Sequence, residues 1–253
     1  MGKIIAVFNQ KGGVGKTTTV VNLAAALGLK NKSVLIIDMD PQGNTSSAFG
    51  KKGLPEQATT YEWLIGAATL DEAIVQAENH VFLVPSDANL AGLEIELASQ
   101  SKRERRLTER LTGTERYDYV FLDCPPSLGL LSLNALTAAD SVLIPIQCEY
   151  YALEGVSQLV KTIELVRKEL NPKLKIEGVL LTMYDGRNNL AQDVVEEVKK
   201  HFGKSVFRTA IPRNIRLAEA PSYGESVILY DPQSKGAIAY RKLADEVWKR
   251  RHA

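Results

Sequence analysis

Residues 10–19 read QKGGVGKTTT and carry the residue types of a phosphate-binding loop. The common form of such a loop is G-x-x-x-x-G-K-[ST], and Gly15, Lys16 and Thr17 match its last three positions. Glycines let backbone N–H groups approach phosphate oxygens, the lysine meets the β- and γ-phosphates, and the hydroxyl binds Mg²⁺. Glutamine replaces the first glycine of the pattern, and a second lysine, Lys11, follows it. The segment predicts a nucleotide site formed by Gly12, Gly13, Val14, Gly15, Lys16, Thr17 and Thr18. The role of Lys11 is not fixed by this pattern.

Two further segments place carboxylates where a strand is expected to end. The first, 33–38, continues into the sequence DMDPQGN, so Asp38 and Asp40 stand two residues apart in front of turn-forming residues. The second, 117–123, ends in an apolar run followed by Asp123, which is the pattern of a residue that holds Mg²⁺, usually through water. Asp38 either joins the surroundings of the metal or only braces the loop. The pattern alone predicts Thr17 and Asp123 as metal-binding residues.

Apolar runs alternate with longer helical patterns along the whole chain. The predicted strands are 3–8, 33–38, 81–86, 117–123, 141–146, 176–183 and a weaker 205–212. The predicted helices are 16–30, 89–111, 130–138, 152–170, 189–202 and 235–251. This rhythm predicts an α/β fold with a single doubly wound, mostly parallel sheet, helices on both faces and ligands at the carboxyl ends of the strands. The region 41–80 is the least regular and is expected to hold short helices and exposed loops.

The composition argues against several classes of protein. The chain has 253 residues, of which 45% are hydrophobic and 24% charged, as is typical of a globular protein. Its apolar runs are far shorter than the roughly 20 residues that span a bilayer, and its first residues show no signal-peptide pattern. The two cysteines, Cys124 and Cys148, form no C-x-x-C pair. This argues against a disulfide scaffold or a zinc site and fits a reducing cytoplasm.

The formal net charge of +1 hides an uneven distribution of charged residues. The interval 198–218 contains no aspartate or glutamate. Six basic residues fall within it, namely Lys199, Lys200, Lys204, Arg208, Arg213 and Arg216. Such a cluster predicts a cationic surface that could meet a polyanion. No motif that reads base edges is present, so binding to nucleic acid through this surface would be independent of sequence.

The segments KGGVGKTT, DMDPQGN and DCPPS together resemble the deviant Walker A motif and the two switch segments of the ParA/MinD/nitrogenase-iron-protein group of P-loop ATPases. The resemblance covers nearly the whole chain, and segments 145–155 and 211–224 are similar to the chromosomal ParA branch, also called Soj. It implies an Mg²⁺-dependent ATPase with ATP and Mg²⁺ as ligands. In this family, Lys11 would reach across a sandwich homodimer to the phosphates held by the other subunit. Asp40 would orient and activate the attacking water and contact the Mg²⁺ shell, which adds it to the metal-binding residues Thr17 and Asp123. The implied catalytic residues are Lys11, Lys16 and Asp40.

The resemblance also implies how the ATPase cycle is used. The ATP-bound dimer would bind non-specific DNA, and slow hydrolysis, stimulated by a ParB-type centromere-binding protein, would return it to monomers. Pro212 and Asn214 would hold the adenine. The implied location is the cytoplasm, in association with the nucleoid. Residues 1–253 are expected to be a single P-loop ATPase domain without the N-terminal helix-turn-helix extension of larger plasmid ParA proteins. The DNA-binding residues are expected to be Arg187, Arg213, Arg216, Lys199, Lys200 and Lys235.

Two alternatives concern what the site binds. Guanine is read by an Asn-Lys-x-Asp segment, and Asn31-Lys32 continues as Ser-Val, so ATP is favoured over GTP. A bridging iron–sulfur cluster is considered because Cys124 follows the second acidic segment. Cluster ligation needs paired thiolates, and Cys148 ends a different strand in the context QCEYY. Both cysteines are therefore expected to be small buried residues.

Two further alternatives concern the class of protein. A membrane-cycling ATPase of the MinD type would use an amphipathic helix beyond the last helix of the fold. Here the chain ends AYRKLADEVWKRRHA, in which Trp248 and its basic neighbours could touch a membrane. We expect instead a docked terminal helix with a core-facing stripe. The other alternative, a scaffold that holds ATP without hydrolysing it, is disfavoured by the presence of both Asp40 and Asp123. The residues of the stripe are Ala239, Leu243, Ala244 and Val247.

Overall fold

The computed structural model describes residues 2–149, 152–187 and 189–251 and contains one seven-stranded sheet. Two tyrosines of the segment 145–155 lie outside the described residues. The spatial order of the strands is β3-β4-β2-β5-β1-β6-β7, and all neighbours are parallel except β3 and β4. The strands are β1 (Lys3–Val7), β2 (Val34–Asp38), β3 (Val75–Glu78), β4 (Val81–Val84), β5 (Tyr119–Asp123), β6 (Ser141–Gln147) and β7 (Lys175–Thr182). The expected doubly wound, mostly parallel α/β fold is confirmed.

Helices connect the strands and cover both faces of the sheet. In the first half of the chain they are α1 (Lys16–Gly28), α2 (Asn44–Ala48), α3 (Thr60–Ile65), α4 (Leu70–Ala73), α5 (Leu90–Glu96), α6 (Arg106–Arg110) and α7 (Leu130–Ala138). In the second half they are α8 (Ala152–Glu169), α9 (Asn189–Phe202), α10 (Arg216–Glu219), α11 (Val227–Tyr230) and α12 (Lys235–Arg251).

The core consists of two apolar layers, one on each face of the sheet. Alternate residues of a strand point to opposite faces. Val120 and Leu122 of β5 therefore join one layer, while Tyr119 and Phe121 join the other. All four side chains are at most 1% exposed, and the three apolar ones, Val120, Phe121 and Leu122, each contribute about 1.5–3 kcal/mol of burial energy. This two-sided burial explains why the strands are continuous apolar runs, and it makes the edge where they end a rigid platform.

The predicted strand 205–212 is wrong. Only two isolated bridges form there, Val206 with Val179 and Pro212 with Tyr184. Between them the N–H groups of residues 208 and 209 donate to the carboxylate of Glu246 on α12, at 2.8 and 3.1 Å. The N–H groups of Phe207 and Ile211 donate to the β7 carbonyl oxygens of Val179 and Leu181, at 2.9 and 2.8 Å. Because Glu246 takes the N–H of Thr209 between them, the ladder with β7 is interrupted.

Two other boundaries differ from the prediction. The strand β3 lies in the region expected to be irregular, and its polar sequence VQAE pairs antiparallel at the sheet edge. The predicted helix 89–111 is two helices, since α5 ends at Glu96 and α6 begins at Arg106. Between them Lys102, just before the turn Arg103–Arg105, adopts a φ of 58°. A left-handed lysine cannot continue a right-handed helix.

Candidate active site

The loop between β1 and α1 has the backbone of an anion site. Gly13 and Gly15 have φ values of 72° and 89°, which side chains other than glycine disfavour. Gly15 occupies the N-cap of α1, and neither a capping side chain nor an acidic residue is present in the first turn. The first N–H groups of this 13-residue helix are therefore available to bind an anion.

Lys16 lies inside this loop with 8% of its surface exposed. Its Nζ donates to the carbonyl oxygen of Lys11 at 3.0 Å. Burial lowers the pKa of Lys16, against the opposing attraction of Asp123 and Asp40. The side chain of Lys11 is exposed, in contrast, while its N–H donates to Asn9 Oδ1 at 3.0 Å. The two lysines thus have different surroundings: one is confined to the loop and the other faces outwards.

Asp123 forms the floor of the site at the carboxyl end of β5 and is fully buried. Its Oδ2 accepts hydrogen bonds from the hydroxyls of Thr17, at 2.8 Å, and Thr45, at 2.7 Å. Its Oδ1 is buried with no hydrogen-bond partner among the described residues. A buried carboxylate oxygen without a partner, beside a threonine hydroxyl, fits Mg²⁺, which binds to few protein oxygens and keeps its waters.

Asp40 and Asp38 face different surroundings. Asp40 is 7% exposed, and its Oδ1 accepts from the N–H of Gln42 at 2.9 Å. Its Oδ2 makes no hydrogen bond within the described part of the chain, so it can accept one from a ligand water. Asp38 is fully buried, and its Oδ2 accepts from the N–H and the hydroxyl of Ser46, at 2.9 and 2.7 Å. Its contacts therefore brace the loop.

Two buried carboxylates lie side by side because Asp38 and Asp123 are paired in the ladder between β2 and β5. Burial raises the pKa of both groups, with a further contribution from their mutual repulsion for Asp38. The pKa of Asp38 rises to about 7 and that of Asp123 to about 6. A divalent cation and the hydroxyls around it would favour the ionised forms.

This pair predicts how the stability of the nucleotide-free protein depends on pH. Both pKa values exceed the ordinary value of 3.8, so between about pH 4 and 7 the folded state holds more protons than the unfolded chain. The resulting stabilisation is complete below pH 4 and is lost as the pH rises toward 7. We expect Asp38→Asn to flatten the decline in Tm between pH 5 and 7.5, measured by thermal unfolding without Mg²⁺. An equal decline in both proteins would contradict this assignment.

A cavity of about 340 Å³ opens beside the phosphate loop. Both predicted adenine contacts, Pro212 and Asn214, line it. The backbone of Tyr184 donates to Ile211 at 3.0 Å, which holds this segment next to the end of β7. The cavity is lined mainly by apolar side chains, as expected for a site that takes a flat base. Its further lining includes Met183, Ile215, Leu217 and Tyr240.

The two cysteines are buried structural residues. Cys124 and Cys148 are free thiols with 1% and 5% of their surfaces exposed. Burial raises the pKa of both, to about 11 for Cys148. Cys148 packs in one apolar layer, and the thiol of Cys124 donates weakly to the carbonyl oxygen of Leu122. These surroundings suit inert small side chains and not exposed cluster ligands.

The structure divides the predicted DNA-binding residues into two groups. Arg187 and Arg213 lie around Asp185. Hydrogen bonds from the side chain and backbone of Arg187, with a smaller contribution from the charges of both arginines, lower the pKa of Asp185 to about 2. Arg216 follows Arg213 by three residues and is the first residue of α10, where its guanidinium pairs with the carboxylate of Glu219 at 2.7 Å. Lys235 begins α12, and its neighbour in the chain packs against α10. These four side chains are near the carboxyl edge of the sheet.

Lys199 and Lys200 form the second group, in the last turn of α9. Arg187 precedes the first turn of the same helix, so about 15 Å of helix separates the two groups. After α9 the chain returns to the middle of β7, where Val206 pairs with Val179. Lys200 is also paired with Glu197 at 3.0 Å. The two lysines therefore belong to a different part of the surface from the four residues near the nucleotide site.

Comparison with known proteins shows which family this chain belongs to. A family model described as an AAA domain matches residues 2–176. The sporulation initiation inhibitor protein Soj of Bacillus subtilis is 55% identical over 249 residues, covering 98% of each chain. The chain belongs to the ParA/Soj family. The chromosome partitioning protein ParA of Myxococcus xanthus is 53% identical over 252 residues, with 99% of this chain and 89% of the relative covered.

A solved structure supports the same P-loop fold. A Mycobacterium smegmatis protein described as cobyrinic acid a,c-diamide synthase, with bound ATP analogue and magnesium, matches with a TM-score of 0.88 at 38% identity. The match covers 98% of this chain and 95% of that one. The ATP analogue and magnesium are ligands of that protein. The site of this chain contains a glycine loop, a lysine, a threonine hydroxyl and a buried carboxylate.

Several site residues escaped the sequence analysis. Thr45 and Ser46 hold the two buried carboxylates, and the hydroxyl of Thr182 donates to the carbonyl oxygen of Val14 at 2.8 Å. The pair of hydroxyls directly after the segment DMDPQGN was the available signal for the first two. Thr182 carried no local signal, since its contact joins residues 168 positions apart.

Proposed function

We propose that this chain is a DNA-segregation ATPase whose ATP-bound homodimer binds non-specific DNA and whose slow hydrolysis releases it. The observation that carries the proposal is the convergence of Lys16, Thr17, Asp40 and Asp123 at one end of the sheet in a chain 55% identical to Soj. A ParB-type centromere-binding protein would stimulate hydrolysis. The protein would act in the cytoplasm, on the nucleoid. ParA/Soj relatives are named for chromosome partitioning, and the same role is proposed here.

Each step of the proposed hydrolysis is assigned to a residue whose surroundings suit that step. The N–H groups of the glycine loop and the Nζ of Lys16 bind the β- and γ-phosphates. Thr17 and Asp123 would hold Mg²⁺, which would supply positive charge to neutralise the charge that develops on the phosphate oxygens. The unpartnered Oδ2 of Asp40 accepts a hydrogen bond from the attacking water and orients its oxygen toward the γ-phosphorus. As the water oxygen forms its bond to the γ-phosphorus, the bond from that phosphorus to the bridging oxygen breaks. The proton of the water passes to Asp40 and from there to the released phosphate or to solvent, giving ADP and phosphate.

Lys11 is proposed to act on the nucleotide of the partner subunit. Its own loop already holds Lys16 at 3.0 Å from the Lys11 carbonyl oxygen, so the local phosphates have their lysine. The Lys11 side chain is exposed on the outer side of the same loop. In a face-to-face dimer such a cation meets the phosphates across the interface and stabilises the charge of the transition state, as an arginine finger does.

The DNA surface is proposed to consist of Arg187, Arg213, Arg216 and Lys235. The Arg187 side chain is 91% exposed and that of Arg213 is 69% exposed. Their ion pairs with Asp185 and Glu149 are at the surface, where such pairs contribute little, so phosphates can replace the carboxylates. Dimerisation would double this cationic surface, which explains why binding would depend on ATP.

Arg216→Ala should weaken binding to random-sequence duplex DNA by about tenfold in the presence of ATP. Each lost phosphate contact should reduce the slope of log affinity against log salt by about 0.9, or about 1.8 for a dimer. Fluorescence anisotropy at several salt concentrations measures both quantities. Arg116→Ala is the matched control, because the Arg116 side chain is 48% exposed, compared with 47% for Arg216, and is likewise paired with an aspartate. Equal losses of DNA affinity in the two variants would show that Arg216 is not part of the DNA surface.

The terminal helix is packed on the core, which argues against the membrane-cycling alternative. Ala239, Leu243, Ala244 and Val247 of α12 are all buried, as expected for a helix docked on the core. Trp248 lies under the Nζ of Lys32 at 4.1 Å from the ring centre. Within the described residues, no helix has the length and hydropathy to cross a bilayer. Sedimentation with anionic vesicles in the presence of ATP separates the alternatives, since the proposal predicts that the protein stays in the supernatant.

A further inference from the structure

One oxygen of the Asp123 carboxylate accepts hydrogen bonds from two hydroxyls that belong to different helices. Thr17 of α1 and Thr45 of α2 both donate to Oδ2, at 2.8 and 2.7 Å. These two donors fill the two lone-pair positions of that oxygen. The carboxylate therefore cannot rotate freely, and the buried Oδ1 remains its only oxygen without a partner in the described structure. Thr45 thus helps to decide which oxygen Asp123 presents to the nucleotide site.

Thr45 belongs to the loop that carries Asp40. The N–H of Gly43 donates to the carbonyl oxygen of Asp40 at 2.8 Å, which closes the turn leading into α2. Gly43 has a φ of 61°, and a Cβ there would meet the carbonyl oxygen of Ser86 at 2.6 Å. The turn therefore has little room to change its conformation, and a shift of α2 would also move Asp40.

The same helix is anchored to two other strands by the next residue. The hydroxyl of Ser46 donates to Asp38, at the end of β2, and accepts from the N–H of Ser86, just beyond β4, at 2.8 Å. Ser46 thus fixes α2 on one side, and Thr45 adds the link to β5. Of these anchors, the Thr45 hydroxyl alone touches a predicted metal-binding carboxylate.

We propose that Thr45 is a positioning residue for magnesium. By donating to Oδ2 of Asp123, it orients Oδ1 toward the metal waters and ties the loop of Asp40 to the same carboxylate. The inference rests on the proposed ATPase site, in which Asp123 holds Mg²⁺ through water. Partners that orient metal-binding groups without touching the metal typically alter metal affinity 10- to 100-fold. Loss of the Thr45 hydroxyl should therefore weaken magnesium-dependent binding of ATP and leave magnesium-free binding to the glycine loop unchanged.

Three variants distinguish positioning from a merely structural hydrogen bond. Thr45→Val keeps the shape and removes the hydroxyl, whereas Thr45→Ser keeps the hydroxyl and removes a methyl group. Thr19→Val is the matched control, because Thr19 is also fully buried and its hydroxyl bonds to Tyr240 and not to Asp123. The experiment titrates MgCl₂ against each full-length protein with a fluorescent, non-hydrolysable ATP analogue and measures the half-saturating Mg²⁺ concentration. Analogue affinity in EDTA is measured in parallel.

We expect the half-saturating Mg²⁺ concentration to rise about 10- to 100-fold in Thr45→Val and to stay within about threefold of the parent in Thr45→Ser and Thr19→Val. An unchanged Mg²⁺ requirement in Thr45→Val would overturn the inference, as would an equal rise in Thr19→Val. If Thr45→Val does not fold, Thr45→Cys takes its place under the same criteria, since a thiol is a weak donor. A parent protein whose analogue binding ignores Mg²⁺ would refute the proposed ATPase site itself.

Discussion

Lys16→Ala should abolish ATP binding, with a loss of at least about 100-fold in affinity. Lys16 is buried in the loop and held by the Lys11 carbonyl oxygen at 3.0 Å, so its charge is positioned before the nucleotide arrives. A hydrogen bond to a charged group contributes about 1.5–3 kcal/mol, and the β- and γ-phosphates offer at least two such bonds. A loss of about 3 kcal/mol corresponds to a factor of about 100 or more in the dissociation constant.

Isothermal titration with ATP and Mg²⁺ measures this loss directly. Lys30→Ala provides the matched control, since Lys30 follows the opposite end of α1 and pairs with Asp245 at the surface. The control should bind ATP like the parent protein. Retention of ATP affinity by Lys16→Ala, within about threefold, would show that the glycine loop is not the phosphate site.

Asp40→Ala should eliminate turnover while preserving ATP binding. The Asp40 carboxylate has one oxygen engaged by Gln42 at 2.9 Å and one available for the attacking water. Positioned general bases contribute about 10²–10⁴-fold, so the rate of phosphate release should fall by a factor in that range. Because we propose that hydrolysis ends the dimeric state, the variant should remain dimeric and bound to DNA as long as ATP is present.

Asp40→Asn separates the chemistry from the loop structure. The asparagine oxygen can still accept from the N–H of Gln42, whereas its amide cannot act as a base. Both variants should therefore lose turnover, measured as phosphate release at saturating ATP. Normal turnover in Asp40→Asn would assign the role of Asp40 to loop geometry, and normal turnover in Asp40→Ala would refute the mechanism.

The parts of the site that the sequence predicted are those built from contiguous residues. The glycine loop holds its anion site within residues 10–19, and the apolar run before Asp123 places that carboxylate at a strand end. The contact of Thr45 with Asp123 joins residues 78 positions apart and depends on how α2 packs. No local pattern specifies such a contact, because its partners meet only when the sheet has formed.

The errors in the fold have the same origin. Segment 205–212 has the apolar character of a strand, but Glu246 on a distant helix takes two of its N–H donors. Strand β3 was missed because its sequence, VQAE, is polar, and it forms only as the antiparallel edge partner of β4. Tertiary partners decided both outcomes and overrode local propensity.

Nucleotide-dependent DNA binding by Asp40→Ala tests the central claim most directly. Affinity for random-sequence duplex DNA would be measured at several salt concentrations with ATP, with ADP and without nucleotide, always with Mg²⁺. The account predicts tight, steeply salt-dependent binding with ATP and weak binding in the other two states, because only the ATP state joins two cationic surfaces. Equal affinity in all three states, or no binding in any of them, would contradict an ATP-gated DNA clamp.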